Sequence, residues 1–349
     1  MRKQYTFVWL DDSRTKVDAM TGVVESGVTD SEITSKVYFA EMTAEVFKNL
    51  EAVTSLIQEH STNLIIVDHV INQGSLGAKG SSVAHLLRSI FPSLPIVCVS
   101  AAWGPTQTEM AFDQEDLSEY IRIFPYGSLA QDSELELLYA IARDFSRCVE
   151  AATTSDVETK IVELLGTPAS EMQSLEKVLP SEFKVSELRT TPHRIARWIL
   201  GMFIARPGYL YNEIRAATLL GLSLEGFAKV SEQFRDSKYT GVFATEADPR
   251  WWVVNLHEQL AKFVPEAGQS STQRAGRQLA GISEADYSKC YSDDTCNPPP
   301  DSVAFLDGTS KVEVAGHASH TKIYAHDIGG VPGFEPRLVL GKRVSQNAT

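Results

Sequence analysis

The chain has 349 residues, with 32 Lys and Arg against 45 Asp and Glu and a formal net charge of −13. That length suggests two or three domains, and the acidic balance excludes a nucleic-acid binder built on a broadly basic surface. No apolar run approaches the roughly 18 residues of a membrane span. The opening residues lead into a strand without a signal-peptide core, and the four scattered cysteines suggest no disulfide framework. The expected setting is therefore the cytoplasm.

The acidic surplus is concentrated in residues 1–150, which hold 11 Lys and Arg against 21 Asp and Glu; residues 151–265 hold 13 against 14, and residues 266–349 hold 8 against 10. Within the first segment, three stretches share one pattern: Val8-Trp9-Leu10-Asp11-Asp12, Asn63-Leu64-Ile65-Ile66-Val67-Asp68 and Leu94-Pro95-Ile96-Val97-Cys98-Val99-Ser100. Each is an apolar run of strand length that stops at an acid or a hydroxyl. In an open parallel sheet, residues at the carboxyl ends of the strands line the ligand crevice. Three strands of one such sheet would bring Asp11, Asp12, Asp68 and Ser100 to one pocket. Carboxylates that close raise each other's pKa unless a cation neutralises them, and oxygen-only ligation with room for phosphate suits Mg²⁺.

With these motifs in place, residues 5–147 resemble the receiver domain of two-component response regulators. Asp11 and Asp12 match the family's acid pair at the end of the first strand, Asp68 matches its phospho-acceptor, and Ser100 matches its hydroxyl switch residue. The interval of 32 residues from Asp68 to Ser100 holds a loop, a helix near 81–90 and a returning strand, as a βαβ crossover requires. The resemblance implies an α/β fold: a doubly wound, parallel, five-stranded, flavodoxin-like sheet. It also implies phosphoryl transfer to Asp68 from a histidine kinase or other phosphodonor, with Mg²⁺ held by Asp11, Asp12, Asp68 and the carbonyl of Val70.

The chain departs from the family in three places. The fifth strand reads Tyr120-Ile121-Arg122-Ile123-Phe124-Pro125, so Phe124 stands where the family has lysine. Phenylalanine cannot bind a phosphoryl oxygen as a lysine does; Arg122, on the same face one pleat deeper, is the candidate substitute. Ile71-Asn72 replaces the Met-Pro pair that usually follows the acceptor, and extra residues occupy the region of Gly22–Ser35. Two other readings compete. An Asp-Asp pair after a strand can simply cap a helix. A haloacid-dehalogenase-type phosphatase wants Asp-x-Asp, but Ser13 follows two residues after Asp11 and Arg14 two after Asp12.

Residues 133–150 read as the closing helix of this domain, followed by a polar linker at Ala151-Ala152-Thr153-Thr154-Ser155. Residues 151–265 read as a mainly helical domain, with helical patterns at Val157–Leu165, Ala169–Val178 and Thr191–Phe203, the last opening on Pro192. The stretch Ala216-Ala217-Thr218-Leu219-Leu220-Gly221-Leu222-Ser223 resembles the turn of a helix-turn-helix. Tyr239–Phe243 and Trp251–Val254 would then pair as the wing of a winged helix. Its second helix offers Glu225 and Glu232 against Lys229 and Arg235, and the wing tip offers Glu246 and Asp248, so charge argues against DNA and for protein docking.

Residues 266–349 read as a linker and a small β or irregular tail, with strand-like segments at Ser302–Leu306, Lys311–Val314, Thr321–Ala325 and Arg337–Leu340. Cys290, Cys296, His317 and His320 are zinc-ligating types, but the five-residue gap between the cysteines is looser than a zinc knuckle. The leading expectation is a response-regulator-like signalling protein, not an enzyme in its own right, with output through a protein partner of the second half. The alternatives are a degenerate receiver serving as a phosphorylation-independent scaffold or homodimerisation module, and a winged-helix transcription regulator.

Overall fold

The apolar runs form strands because β-branched and aromatic residues fit a pleated surface buried on both faces. The computed structural model describes residues 3–27, 33–71, 78–101, 114–184, 190–265, 268, 271–289, 302–306, 313–317, 323–325, 333–335 and 338–340. Strands β1 (Lys3–Asp11), β2 (Ile33–Glu41) and β3 (Leu64–Val67) lead to a short antiparallel pair, β4 (Val70–Ile71) and β5 (Ala78–Lys79). β6 (Ile96–Ser100) and β7 (Ile123–Pro125) follow. The main sheet has the order β2-β1-β3-β6-β7, and every neighbouring pair in it is parallel. This is a doubly wound, flavodoxin-like sheet, whose order reverses between β1 and β3.

Among the described residues, helices α1 (Arg14–Ser26), α2 (Ala44–Lys48), α3 (Glu51–Glu59), α4 (Gly80–Ile90), α5 (Gln114–Glu119) and α6 (Asp132–Thr153) accompany the sheet. Val8, Leu10, Ile65, Val67, Ile96 and Cys98 form one buried core with Val53 and Ile57 of α3 and Val83, Ala84 and Leu87 of α4. Against the other alternation of β1, Tyr5 and Phe7 pack on Tyr139 of α6, with Phe7 and Tyr139 ring centroids 5.5 Å apart. The Tyr139 hydroxyl donates to the Val24 carbonyl at 2.6 Å and lies 2.9 Å from Ser35 Oγ, joining α6 to α1 and β2.

The described residues gather into two compact units, and the first does not end at residue 150. It takes in α7 (Val157–Leu164), α9 (Ser181–Lys184), α10 (Pro192–Trp198) and residues 241–247. Helix α6 runs to Thr153, through the first residues of the expected linker. Its alanines are good helix formers, and buried Cys148 and Ala151 continue its apolar stripe. Residues 241–247 are tied back by the Phe243 N–H to Asp144 Oδ2 at 2.7 Å and the Val242 N–H to the Leu164 carbonyl at 3.0 Å.

The second unit contains α8 (Met172–Val178), β8 (Leu210–Tyr211), α11 (Glu213–Leu219), α12 (Leu224–Val230), β9 (Trp251–Trp252), α13 (Val253–Phe263) and α14 (Thr272–Gly276). The expected turn is present: Gly221 has φ +68°, and Ser223 Oγ accepts the Gly226 N–H at 3.0 Å to cap α12. The expected wing is not. β9 pairs antiparallel with β8, a single bridge at Lys238–Trp251 reaches the other segment, and Val253 and Val254 already belong to α13. Trp251 and Trp252 are both buried, Trp251 packing 5.2 Å from Phe227, so these tryptophans serve the core rather than a hairpin.

The tail supplies β10 (Ser302–Leu306), β11 (Glu313–His317), β12 (Ile323–Ala325) and β13 (Leu338–Leu340), in a sheet of order β11-β10-β13-β12. Among the described residues, no helix is long and apolar enough to cross a membrane.

His193, on α10, packs 4.9 Å from the Phe145 ring, and burial, with Arg88 and Arg197 adding, lowers its pKa to about 3. The unfolded chain protonates this histidine near pH 6.5 and the native protein only near pH 3. Its contribution to stability is therefore fully present above about pH 6.5 and lost as pH falls toward 3. In urea unfolding, His193→Leu should show a shallower loss of stability between pH 7 and pH 5 than the unaltered protein.

Candidate functional site

The site arises where β1 and β3 end side by side. The Asp68 N–H donates to the Leu10 carbonyl at 2.9 Å, continuing the parallel ladder one residue past β3. This sets Asp68 beside the end of β1, with Asp11 2% and Asp68 5% exposed. Asp11, Asp12 and Asp68 each present a carboxylate oxygen within 4.8 Å of the others. Ser13 donates its N–H to Asp11 Oδ1 at 2.8 Å as the chain turns into α1, and the Met42 N–H holds the Asp11 carbonyl at 2.9 Å. Ser13, not an aspartate, is the N-cap of α1 and no side chain caps the helix there, so the Asp-Asp pair precedes the helix without capping it.

One residue that sequence reasoning passed over offsets part of this negative charge. Lys16, in the first turn of α1, places Nζ 3.3 Å from Asp68 Oδ2, 3.8 Å from Asp12 Oδ1 and 3.9 Å from Asp11 Oδ1. Its signal was the spacing of four from Asp12, which puts an acid and a lysine on one helical face. Arg122, the expected substitute, points its charge elsewhere: it pairs with Glu134 at 3.5 Å and lies 6.0 Å from the centroid of the Phe124 ring. Phe124 itself is fully buried on β7, opposite Val99.

Burial, and then the Asp68 charge, push the Asp11 carboxyl up to about 7. Burial also raises Asp68, partly opposed by Lys16 and by the Val70 N–H, which approaches Asp68 Oδ1 at 3.4 Å. For Lys16, burial works downward, but Asp68 and Asp11 outweigh it and raise the ammonium above its ordinary value. Acids crowded and buried in this way gain from any positive charge brought near them. The donors are all hard oxygens, which fits Mg²⁺ or Ca²⁺ and not a thiolate- or imidazole-seeking metal.

Two further features support the floor of the pocket. Gly80, at the start of α4, donates its N–H to the His69 carbonyl at 2.8 Å, and a Cβ there would lie 1.9 Å from the Asp68 carbonyl oxygen. Only glycine lets α4 start so close beneath Asp68. Buried Asp116 on α5 accepts from Ser81 Oγ at 2.5 Å and from Lys79 Nζ at 2.8 Å, with His69 Nε2 at 3.9 Å. This network joins the residue after Asp68 to β5, α4 and α5. Ser100 ends β6 at 1% exposure, and its carbonyl accepts the Tyr126 N–H at 2.9 Å. Val70 is 43% exposed at the start of β4. Of the zinc-type residues, Cys290, Cys296 and His320 lie outside the described residues, and His317 is described only as the end of β11.

No protein-family model matches the chain, and no curated protein matches it. Among solved structures, the chain is similar to NtrX from Brucella abortus, with 15% identity, a TM-score of 0.31, and 50% of this chain and 33% of that one covered. It is similar to a Burkholderia pseudomallei response regulator that carries a phosphorylated aspartic acid, calcium ion and citrate, with 14% identity, a TM-score of 0.26, and 55% and 97% covered. An alcohol dehydrogenase from Oenococcus oeni also matches, with 14% identity, a TM-score of 0.22, and 78% and 76% covered. The match thus spans about a third of the NtrX chain. Likenesses this distant carry no functional argument, which rests on the strand order and the carboxylates.

The raised Asp11 gives a pH test with a definite sign. The native protein holds this proton up to about pH 7, whereas the unfolded chain loses it near 3.8. Stability therefore falls as pH rises through that window. In chelator, the difference in midpoint between Asp11→Asn and the unaltered protein should grow in favour of the variant from pH 5 to pH 8. Separately, Gly80→Ala should lower the melting midpoint by several degrees, as a forced backbone shift costing about 1–3 kcal/mol would do.

Proposed function

We propose that this chain is a response-regulator-like signalling protein whose first unit accepts a phosphoryl group on Asp68. The observation that carries this reading is the meeting of Asp11, Asp12 and Asp68 at the switch point of the β2-β1-β3-β6-β7 parallel sheet, with their oxygens within 4.8 Å. Asp11, Asp12, Asp68 and the Val70 carbonyl are the residues that would hold Mg²⁺. A divalent cation there supplies positive charge to the three acids and to the oxygens of an incoming phosphoryl group.

The chain's own residues do the rest. Burial keeps water from Asp68 and strengthens every charge interaction around it. The backbone ladder to Leu10 and the Val70 N–H hold the acceptor and one of its carboxylate oxygens. The donor is a histidine kinase or a small acyl phosphate. Ser100, at the end of the neighbouring strand, is the hydroxyl that follows the phosphoryl oxygen. The Asp116 network then carries the change from the acceptor's neighbour His69 to α5. Such a switch acts by favouring one of two conformations.

The output is a protein surface rather than duplex DNA. On α12, Lys229 is paired with Asp286, and just beyond it Arg235 is paired with Glu232. The bases that would meet phosphates are already neutralised, and a DNA-positioning surface needs them free. The protein acts in the cytoplasm and is not itself an enzyme.

Intact-mass spectrometry after incubation with acetyl phosphate and Mg²⁺ tests the proposal. The expected result is one phosphoryl adduct, abolished by Asp68→Asn and by chelation. A wild-type protein that stays unmodified with acetyl phosphate and with histidine-kinase extracts alike would refute it, leaving a phosphorylation-independent scaffold.

A further inference from the structure

A carboxylate that attacks a phosphoryl group must overcome repulsion between its own charge and the anionic oxygens it approaches. A divalent cation bound by the acids answers part of this. A second, mobile positive charge that touches the acceptor answers the rest, and it has to come from a side chain with reach. β7 offers none: Phe124 is buried and apolar, and Arg122 is engaged with Glu134. Among the described residues, Lys16 is the only cationic side chain paired with Asp68.

Three observations single it out. Its shortest contact is to the acceptor, Asp68 Oδ2 at 3.3 Å, and the contacts to Asp12 and Asp11 are looser at 3.8 and 3.9 Å. Its side chain is 42% exposed, so the ammonium can shift without unpacking the core. Its helix is braced from the residue that follows β7, because the Tyr126 hydroxyl donates to the Lys16 carbonyl at 3.0 Å. The backbone is held while the four-carbon stem remains free to follow a ligand.

We infer that Lys16 is the phosphoryl-binding lysine of this site, supplied from the first turn of α1 in place of one on the fifth strand. The inference rests on the proposed acceptor role of Asp68. In the reaction, an Asp68 carboxylate oxygen forms a bond to phosphorus, and the bond between phosphorus and the acyl oxygen breaks. Acetate leaves with the electron pair when acetyl phosphate is the donor. Lys16 keeps its proton throughout. It moves from pairing with the free carboxylate to pairing with a phosphoryl oxygen on the mixed anhydride.

Lys16→Met removes the charge while keeping a stem of similar length at a half-exposed position, so the fold should persist. The test compares Lys16→Met, Asp68→Asn and the unaltered protein by the rate of adduct formation with acetyl phosphate and by Mg²⁺ calorimetry. The expected result is a loss of at least about 10-fold in rate for Lys16→Met, with Mg²⁺ bound at least as tightly, because a competing cation has left the acids. A Lys16→Met protein that forms the adduct at the unaltered rate would overturn this inference and leave the Asp68 reading intact. Loss of both the adduct and Mg²⁺ binding in that variant would also overturn it, since Lys16 would then be holding the pocket together. An unaltered protein that forms no adduct with acetyl phosphate and none with histidine-kinase extracts would end both readings.

Discussion

The mutual repulsion of three carboxylates organises this protein. Asp11 and Asp68 are buried because they end strands in the middle of a parallel sheet, and the ladder bond from Asp68 to Leu10 leaves them no freedom to part. A fold selected for stability alone would place apolar or hydrogen-bonded groups there. Burial, with the neighbouring Asp68 charge adding to it, pushes Asp11 up to about 7, and the surrounding structure is arranged to contain it. The Ser13 and Val70 N–H groups point at carboxylate oxygens, Lys16 leans in from α1, and Gly80 allows α4 to close the floor. Such stored electrostatic strain is characteristic of sites that bind charged ligands.

Much of the first unit was legible because its signals are local and periodic. Apolar runs ending in Asp11, Asp68 and Ser100 appear as β1, β3 and β6 with the ends where expected, and the crossover helix expected near 81–90 is α4, Gly80–Ile90. What escaped depends on side chains meeting across the fold. Lys16 is an ordinary surface lysine until β3 brings Asp68 to it, and Asp116 is an ordinary helix-start acid until Ser81 and Lys79 surround it. Arg122 lies beside the Phe124 ring, as strand alternation places it, but Glu134 on α6 takes its charge away from the acids, and α6 is invisible to a period-2 argument.

The second unit shows the same limits from the other side. The turn at Gly221 was readable because a positive φ demands glycine and a serine cap follows two residues on. Four short strands of the tail were readable from β-branched alternation, and they do form one sheet. The wing was misread because Trp251-Trp252 has the composition of a strand but not its partner. β8 takes that edge, and the burial of both indoles draws the chain straight into α13. Strand composition does not name a partner. The pairing of Lys229 with Asp286 and of Arg235 with Glu232 likewise depends on contacts that the charge count of one helix only hinted at.

The central claim is that the three acids form a divalent-cation site that serves a phosphoryl group. Crystals soaked in Mn²⁺ and measured at its absorption edge address that claim most directly. A single anomalous peak is expected, bonded to Asp11, Asp12 and Asp68, with the Lys16 ammonium displaced from its place among the carboxylates. An empty map at saturating Mn²⁺, with Lys16 still bridging the acids, would contradict it.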